Sequence, residues 1–482
     1  MKPPLACNNC RARKKRCDRT YPICSYCLKT HDRCAYRIHG SSLRPRRRAL
    51  VTAISGMPQK TALSTAAMFL DYRLFQTSLS RTLTGSVPIG PELRDYVIND
   101  KELSQRVDTF IEVFDAWMPF IPRQELREKL PGRVTQPDGE DILLFACMRN
   151  LTEPLKEEDP ATKQYMAIKS IFVGAEVAGT ITVGLLQALL LLLLYEFGHG
   201  LYPSAYMTLG TCIQHLVVLG VSGAGLSPIG AQSWVEQEKR RRLWWAVFVM
   251  ERTIALGCPQ RLLSIPQPDG SIVLPSDEPS WEQEFPSPES SFTLASPPMP
   301  SMGNFRLLVH ASYLLGRVLQ YVSDDSSREP SDALQIYNTI CALLKVLEVE
   351  DQHGIMSVGV PRSILNSAIF TLCPYTDDTR SGFQAEQSPR HLSASDFLKR
   401  ARDFFDGNLG TVEKSSPFLL HWGFQAFQYY YAAYQQDGRP ESEEAVKDLE
   451  KTFLTLEGRW KLAGIYTALL NASQEEVFME ES

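Results

Sequence analysis

The spacing of apolar side chains predicts helices along most of the chain after residue 104. Phe110, Val113, Phe114 and Trp117 recur at i, i+3, i+4 and i+7, the repeat of one helix face, and Pro119 ends the run. We find no convincing run of alternating apolar and polar residues that would indicate a strand. An all-α body is therefore predicted. Its later helices are predicted at residues 305–322, 331–347, 395–405, 424–434 and 445–470.

One apolar run is long enough to raise the question of a membrane span. Residues 181–195 are apolar apart from Thr182 and Gln187. A bilayer needs about 20 such residues, and Glu176 lies just before the run. We therefore expect a buried helix and no membrane partner.

Two segments interrupt the helical pattern. Residues 38–103 are predicted to form a linker that contains a basic arm. They contain no sustained heptad repeat, and the nearest candidate for a short helix is 63–79. Residues 266–303 contain nine prolines among serines and acids, and we expect them to form a mobile insertion. The body is thus predicted as 104–265 and 304–470, followed by an acidic tail at 471–482.

Charge is distributed unevenly along the chain. Residues 1–50 contain 14 lysines and arginines against two acids, whereas the other 432 residues contain 36 against 53. A basic head on an acidic body is typical of a DNA-binding segment joined to a protein-facing remainder.

The basic head also contains six cysteines in a regular pattern, C-x2-C-x6-C-x6-C-x2-C-x6-C. A C-x2-C pair can place two thiolates on one tetrahedral zinc. A disulfide framework is disfavoured, because the chain begins Met-Lys-Pro-Pro without the apolar stretch of a secretion signal. The predicted metal ligands are Cys7, Cys10, Cys17, Cys24, Cys27 and Cys34.

Six sulfurs do not divide evenly among four-coordinate zinc ions. Two zinc ions need eight ligand positions, so two cysteines must bridge both metals. Cys7 and Cys24, the first residues of the two C-x2-C pairs, are the symmetric candidates.

Five of the six residues between Cys10 and Cys17 are basic. On a short helix starting near Cys10, they would neutralise phosphates, and one or two would reach guanine in the major groove. A second basic run, in the linker, is a candidate phosphate-contacting arm or nuclear import signal; the alternative is a merely solvated linker. The predicted DNA-contacting residues are Arg11, Arg13, Lys14, Lys15, Arg16, Arg46, Arg47 and Arg48.

This cysteine spacing, with the basic run inside it, resembles the fungal binuclear zinc cluster (Zn2Cys6) transcription factors. The resemblance implies a zinc-cluster domain at residues 1–37, with two short helices around two zinc ions. It also implies that Lys14 reads a CGG triplet and that Pro22 helps join the two halves. A zinc module used only for protein contacts is the alternative.

A second resemblance covers the body. Arg240-Arg241-Arg242-Leu243-Trp244-Trp245, followed by Glu251-Arg252, is similar to the signature of the fungal transcription-factor regulatory domain, with Glu251 where that family commonly has Asp. For the tryptophans we expect core packing, and for the arginines ion pairs with Glu236 and Glu238 or solvation. A small-molecule pocket at the tryptophans is the alternative.

The short motifs of common enzyme classes do not occur in the chain. It contains no G-x4-G-K-[ST], G-x-S-x-G or H-E-x-x-H, and its eight histidines are scattered. We expect no enzyme.

The sequence thus predicts a nuclear, sequence-specific transcription factor that binds double-stranded DNA and contacts the transcription machinery. The compact body and short linker resemble those of activators of secondary-metabolite gene clusters. A repressor, or a regulator of primary metabolism, is the alternative. A homodimer is left open as well, because no clear coiled coil supports it. The acidic tail and the Pro/Ser-rich segment are the candidate activation segments.

Overall fold

The structure, a computed structural model, describes a large part of the chain. The described residues are 6–20, 23–30, 34, 87–131, 137–155, 157–221, 233–284, 292–324, 329–352, 359–375, 388–407 and 411–480. The chain divides into two compact units, Met1–Phe75 and Gln76–Ser482. The candidate linker helix at 63–79, Pro22 and Arg46–Arg48 lie outside the described residues.

The first unit contains two short helices, α1 (Asn8–Ala12) and α2 (Ser25–Thr30). Each begins one residue after the first cysteine of a C-x2-C pair. Helix α1 therefore starts before Cys10, earlier than expected, and ends before Lys14. Arg11 lies on this helix, Arg13 is its C-cap, and Lys14, Lys15 and Arg16 follow it, so the helix itself carries only the first of the five basic residues.

The second unit is all-α. Among its described residues no strand forms, and an isolated β-bridge joins Val273 and Thr293. The first eight helices in the described part of this unit are α3 (Pro91–Ile98), α4 (Leu103–Phe110, continued by a π-helical turn at Ile111–Asp115), α5 (Arg123–Glu128), α6 (Gly139–Thr152), α7 (Lys163–Ala178), α8 (Val183–Gly198), α9 (Ser204–Val218) and α10 (Trp234–Ala255).

The remaining helices confirm most of the predicted segments. They are α11 (Glu278–Glu282), α12 (Asn304–Ser323), α13 (Pro330–Gln352), α14 (Gly359–Leu372), α15 (Pro389–Phe405), α16 (Leu419–Asp437), α17 (Pro440–Glu457) and α18 (Lys461–Glu480). Helix α8 packs against α6 and α9, and α14 packs against α12 and α16.

Helix α8 lies at the centre of the core, as its composition predicted. Thr182 caps its first turn by accepting a hydrogen bond from the amide of Leu185 at 3.0 Å. Every residue from Leu185 to Glu196 is buried. No helix among the described residues is both long and apolar enough to span a membrane.

Described residues of the Pro/Ser-rich segment contribute to the core, which corrects for them the expectation of a mobile insertion. Of its described residues, Leu274 and Trp281 are buried, and Asp277 caps the short helix α11 by accepting from the amide of Ser280. Proline lacks an amide hydrogen but keeps its carbonyl, so such a segment can still accept hydrogen bonds from buried donors.

Those donors are the arginine and tryptophan of the α10 signature. Arg242 is fully buried and donates to the carbonyls of Pro119 and Ser276, both at 2.7 Å. Trp245 donates to the carbonyl of Val273 at 3.0 Å and is also fully buried. The expectation that the tryptophans pack in the core is confirmed, since Trp244 and Trp245 are both buried.

The acidic partners of the arginines are those expected from the sequence. Arg240 pairs with Glu236 at 2.9 Å, and Arg242 pairs with Glu238 at 3.0 Å. Arg241 pairs with Glu238 as well. Glu238 is buried, so the ion pairs compensate a charge that would otherwise be costly inside the protein.

The last predicted helix, 445–470, is two helices in the structure. The helix is interrupted between α17 and α18. There Arg459 donates a hydrogen bond to the carbonyl of Leu151 at 2.6 Å, and Trp460 donates to the carbonyl of Ser415 at 3.0 Å. Helix α18 then continues to Glu480, so most of the predicted tail has helical backbone.

Candidate metal centre and nucleic-acid interface

The six cysteine sulfurs form two groups that could each hold one metal ion. One group contains Cys7, Cys24, Cys27 and Cys34, and the other contains Cys7, Cys10, Cys17 and Cys24. Within each group the sulfurs all lie within 4.8 Å of one another. Cys7 and Cys24 belong to both groups, which is the sharing that the count of ligand positions required.

The distances between sulfurs fit tetrahedral zinc. Four thiolates at about 2.3 Å from a zinc ion lie about 3.8 Å from one another. The sulfur of Cys7 lies 3.8 Å from that of Cys24 and 3.7 Å from that of Cys27, and the sulfurs of Cys10 and Cys24 are 3.6 Å apart. This donor set fits two zinc ions and leaves few positions for water.

Short helices orient the two shared sulfurs. Cys7 is the N-cap of α1, and its Sγ accepts a hydrogen bond from the amide of Cys10 at 3.4 Å. The sulfur of Cys24 accepts from the amide of Cys27 at the same distance. Amide donors at the start of a helix favour a thiolate over a thiol.

Burial has the opposite effect on Cys7 and Cys10 when no metal is bound, whereas at Cys24 burial is outweighed by hydrogen bonds from the amide of Cys27 and from neighbouring thiols, which lower that pKa to about 6. Burial raises the pKa of Cys7 to about 12 and also raises the pKa of Cys10. Both groups would keep their protons at neutral pH without a cation. Zinc supplies that charge and displaces the protons when it binds.

Two further residues support the cluster, and the sequence reasoning missed both. Asn9 donates from Nδ2 to the sulfur of Cys27 at 3.3 Å. Asp18 accepts from the amide of Ser25 at 3.0 Å and from the hydroxyl of Thr20 at 2.7 Å, so it ties the first half of the cluster to the start of α2. The Ser25 and Thr20 hydrogen bonds hold the pKa of Asp18 well below its ordinary value.

The five predicted DNA-contacting residues of the first half are all exposed. Helix α1 ends in a Schellman arrangement, in which the amide of Lys14 donates to the carbonyl of Arg11 and that of Lys15 donates to the carbonyl of Cys10. Lys14 takes the left-handed position, with φ of +50°. Glycine usually occupies this position, so a lysine there costs about 1 kcal/mol of conformational free energy.

Two family models match the chain. Residues 5–41 match the fungal Zn(2)-Cys(6) binuclear cluster domain, and residues 145–353 match the fungal specific transcription factor domain. The chain belongs to the fungal Zn(2)-Cys(6) transcription factors. This family confirms the two zinc ions as cofactors and the expectation of no enzymatic activity. Its DNA-binding domain makes DNA a partner.

Three relatives agree with this family. The chain is 28% identical over 179 residues to Transcription factor BOA15 of Botryotinia fuckeliana. The aligned region covers 36% of this chain and 98% of BOA15. It is 23% identical over 296 residues to the azaphilone cluster-specific transcription factor azaR of Aspergillus niger, covering 56% of this chain and 63% of azaR. An uncharacterized transcriptional regulatory protein of Schizosaccharomyces pombe, PB1A11.04c, is 23% identical over 57% of this chain and 42% of its own length.

Proposed function

We propose that this zinc-cluster protein recognises a specific DNA sequence that contains a CGG-like triplet, and that it acts in the nucleus as a positive regulator of a secondary-metabolite gene cluster. The observation that carries the DNA assignment is the pair of four-sulfur groups sharing Cys7 and Cys24, with an exposed basic stretch between their ligands Cys10 and Cys17. A structural zinc site alone would not require five cations beside it.

In this proposal the residues have distinct roles. Each zinc ion has two ligands of its own, Cys10 and Cys17 for one and Cys27 and Cys34 for the other, and both share the bridging pair. Lys14 reads bases, because the turn after α1 projects it beyond the helix end. The phosphate contacts come from Arg11, Arg13, Lys15, Arg16, Arg46, Arg47 and Arg48.

Replacing Lys14 tests the base-reading role. We expect Lys14→Ala to weaken binding to a CGG-containing duplex by about 1–3 kcal/mol and to weaken binding to a scrambled duplex much less. Lys14→Gly should show the same loss of preference, because glycine adopts the left-handed backbone without strain and keeps the turn intact. Fluorescence anisotropy with both duplexes at several salt concentrations measures the effect.

The matched control is Lys15→Ala, one residue along the same turn. A phosphate contact should weaken binding to both duplexes alike and should reduce the salt dependence of the affinity. Equal losses on both duplexes for Lys14→Ala would contradict the base-reading role. Retained preference in Lys14→Gly would show that the backbone of the turn, and not the amine, gives the specificity.

The narrower assignment to secondary metabolism is supported by the relative azaR, whose name describes an azaphilone cluster-specific transcription factor. Mapping the bound genomic sites and the transcript changes after deletion tests it. We expect sites within one biosynthetic cluster and lower transcript levels in the deletion strain. Higher levels would indicate a repressor, and sites at genes of primary metabolism would contradict the assignment.

The predicted partners and the other domain boundaries belong to the same proposal, but the body begins before residue 104, because Leu93 and Val97 of α3, inside the predicted linker, are buried in its core. The tail at 471–482 is the candidate contact with the transcription machinery, and the side chains of 473–482 lie outside the described residues. Fusing residues 465–482 to a heterologous DNA-binding domain should activate a reporter, and Phe478→Ala should reduce that output. The Pro/Ser-rich segment is a rival for this role: of its described residues Leu274 and Trp281 are buried, but Met299 is 42% exposed.

A further inference from the structure

A groove of ≈ 1010 Å³ lies in the second unit among helices α14 to α17. Its lining includes Phe370 of α14, the first turn of α15, one face of α16, and the start of α17. This volume is at the upper end of that found for small-molecule sites, which are concave and combine apolar walls with a few polar groups. The groove is distinct from the filled region around Trp244 and Trp245.

Cationic groups dominate the charged lining of the groove. Arg390 and His391 lie in the first turn of α15, which contains no acidic residue, and Arg439 is the N-cap of α17. Cations at a helix start add to the positive end of the helix dipole. Glu441 is the acidic residue in the lining. Among the described residues Arg390 has no ion-pair partner, so its charge is available to an anion.

The floor of the groove combines an aromatic ring with an acceptor that lacks a donor. Tyr429 and Phe370 provide ring surfaces, and the hydroxyl of Tyr429 lies 3.2 Å from Nδ1 of His391. Gln425 also lines the groove, and its Oε1 is buried without a hydrogen-bond partner in the described part of the chain. A buried acceptor without a donor costs free energy, and rotation of the Gln425 amide toward the groove would let a ligand hydroxyl recover it.

We propose that this groove binds a small aromatic carboxylate that carries a hydroxyl group. Arg390 contacts the carboxylate, and Tyr429 and Phe370 pack against the ring. The Oε1 atom of Gln425 accepts a hydrogen bond from the ligand hydroxyl. This site goes beyond the DNA-binding function and belongs to the second unit. Its failure would leave the zinc cluster and the DNA assignment untouched.

Three related probes separate the contributions of charge and hydroxyl. The zinc-loaded full chain is titrated by calorimetry with 4-hydroxybenzoate, with benzoate, which lacks the hydroxyl, and with 4-hydroxybenzamide, which lacks the charge. We expect saturable binding of 4-hydroxybenzoate at millimolar concentration or below. Losing the charged contact should weaken binding by about tenfold or more, and losing the hydroxyl should weaken it less.

Variants assign these differences to the groove. Arg390→Gln should weaken binding of 4-hydroxybenzoate by about tenfold or more and bring it close to that of 4-hydroxybenzamide. Gln425→Met should remove the advantage of 4-hydroxybenzoate over benzoate. Lys399→Gln, which removes an exposed cation from the same helix outside the groove, should change nothing.

The proposal is overturned if the full chain shows no saturable binding of 4-hydroxybenzoate. It is also overturned if the charged and uncharged probes bind equally well, or if Arg390→Gln and Lys399→Gln have the same effect. Thermal unfolding of each variant checks that the body is folded. A charge-conserving Arg390→Lys variant that keeps part of the affinity supports the contact with the carboxylate.

Discussion

Replacing Cys7 with alanine is expected to release both zinc ions and unfold the cluster, whereas replacing Cys34 should leave one zinc ion bound. The reason is geometric: the sulfur of Cys7 belongs to both four-sulfur groups, and that of Cys34 belongs to one. Structural zinc in small domains contributes on the order of 10 kcal/mol to folding, so losing both ions leaves only a few hydrogen bonds between the two halves of the cluster, too few to hold α1 and α2 together. Cys24→Ala should behave like Cys7→Ala.

Metal analysis of the purified full chain measures this difference directly. We expect two zinc ions in the natural protein, about one in Cys34→Ala, and close to none in Cys7→Ala. The matched control is Cys147→Ala, which removes a buried cysteine of the second unit and should keep both ions. One zinc ion per natural chain, or equal retention in Cys7→Ala and Cys34→Ala, would refute the bridged arrangement.

The cluster could be predicted because its constraint is local in sequence. Six cysteines within 28 residues leave few ways to satisfy tetrahedral zinc, and ligand counting alone selected Cys7 and Cys24. The hydrogen bonds of Asn9 and Asp18 were missed because asparagine and aspartate have many roles in turns. Their position beside Cys10 and Cys17 was the available signal. The left-handed turn at Lys14 left no such signal, since glycine usually marks it.

The body could be predicted only where side-chain pattern decides the structure. The helical repeat located most helices, and the apolar run of α8 indicated a buried centre. The Pro/Ser-rich segment was predicted incorrectly because its role depends on main-chain carbonyls. Those of Val273, Pro275 and Ser276 accept hydrogen bonds from buried arginines and tryptophan, and every residue has a carbonyl, so composition does not reveal this use.

The break between α17 and α18 was missed for a similar reason. Gly458, Arg459 and Trp460 do not interrupt helical periodicity in the sequence. In the structure Trp460 packs so closely on Gly198 of α8 that an added Cβ at Gly198 would lie 2.3 Å from the indole ring. Gly458, the C-cap of α17, was the local signal for this end. The contact that fixes Trp460 joins residues more than 250 positions apart, and local pattern does not reveal it.

Arg242→Met is expected to destabilise the second unit by about 3–5 kcal/mol. The substitution removes the donors to Pro119 and Ser276 and leaves the buried carboxylate of Glu238 without its 3.0 Å partner. It also removes the stacking of the guanidinium on Trp281, 4.5 Å from the ring. Methionine has four side-chain heavy atoms against seven in arginine, so part of the loss comes from the space that the guanidinium leaves and part from the unsatisfied polar groups.

Urea unfolding of the full chain followed by tryptophan fluorescence measures this loss. All seven tryptophans lie between residues 117 and 460, so the signal reports on the second unit alone. Arg127→Met is the matched control, because its side chain is 52% exposed and pairs with an exposed Asp108. Exposed pairs contribute about 0–1 kcal/mol. A similar effect of the two substitutions would contradict a central role for Arg242.

The double variant Arg242→Met, Glu238→Leu shows how much of the lost stability comes from an unpaired buried charge and how much from lost packing. If most of the cost of Arg242→Met is the buried Glu238 carboxylate, removing that carboxylate as well should recover on the order of 1–2 kcal/mol relative to Arg242→Met alone. Recovery will be partial, because Glu238 also accepts from the amide of Ser276 at 2.6 Å and pairs with Arg241. Strictly additive losses would instead mean that the arginine acts through the carbonyls of Pro119 and Ser276, independently of its ion pair.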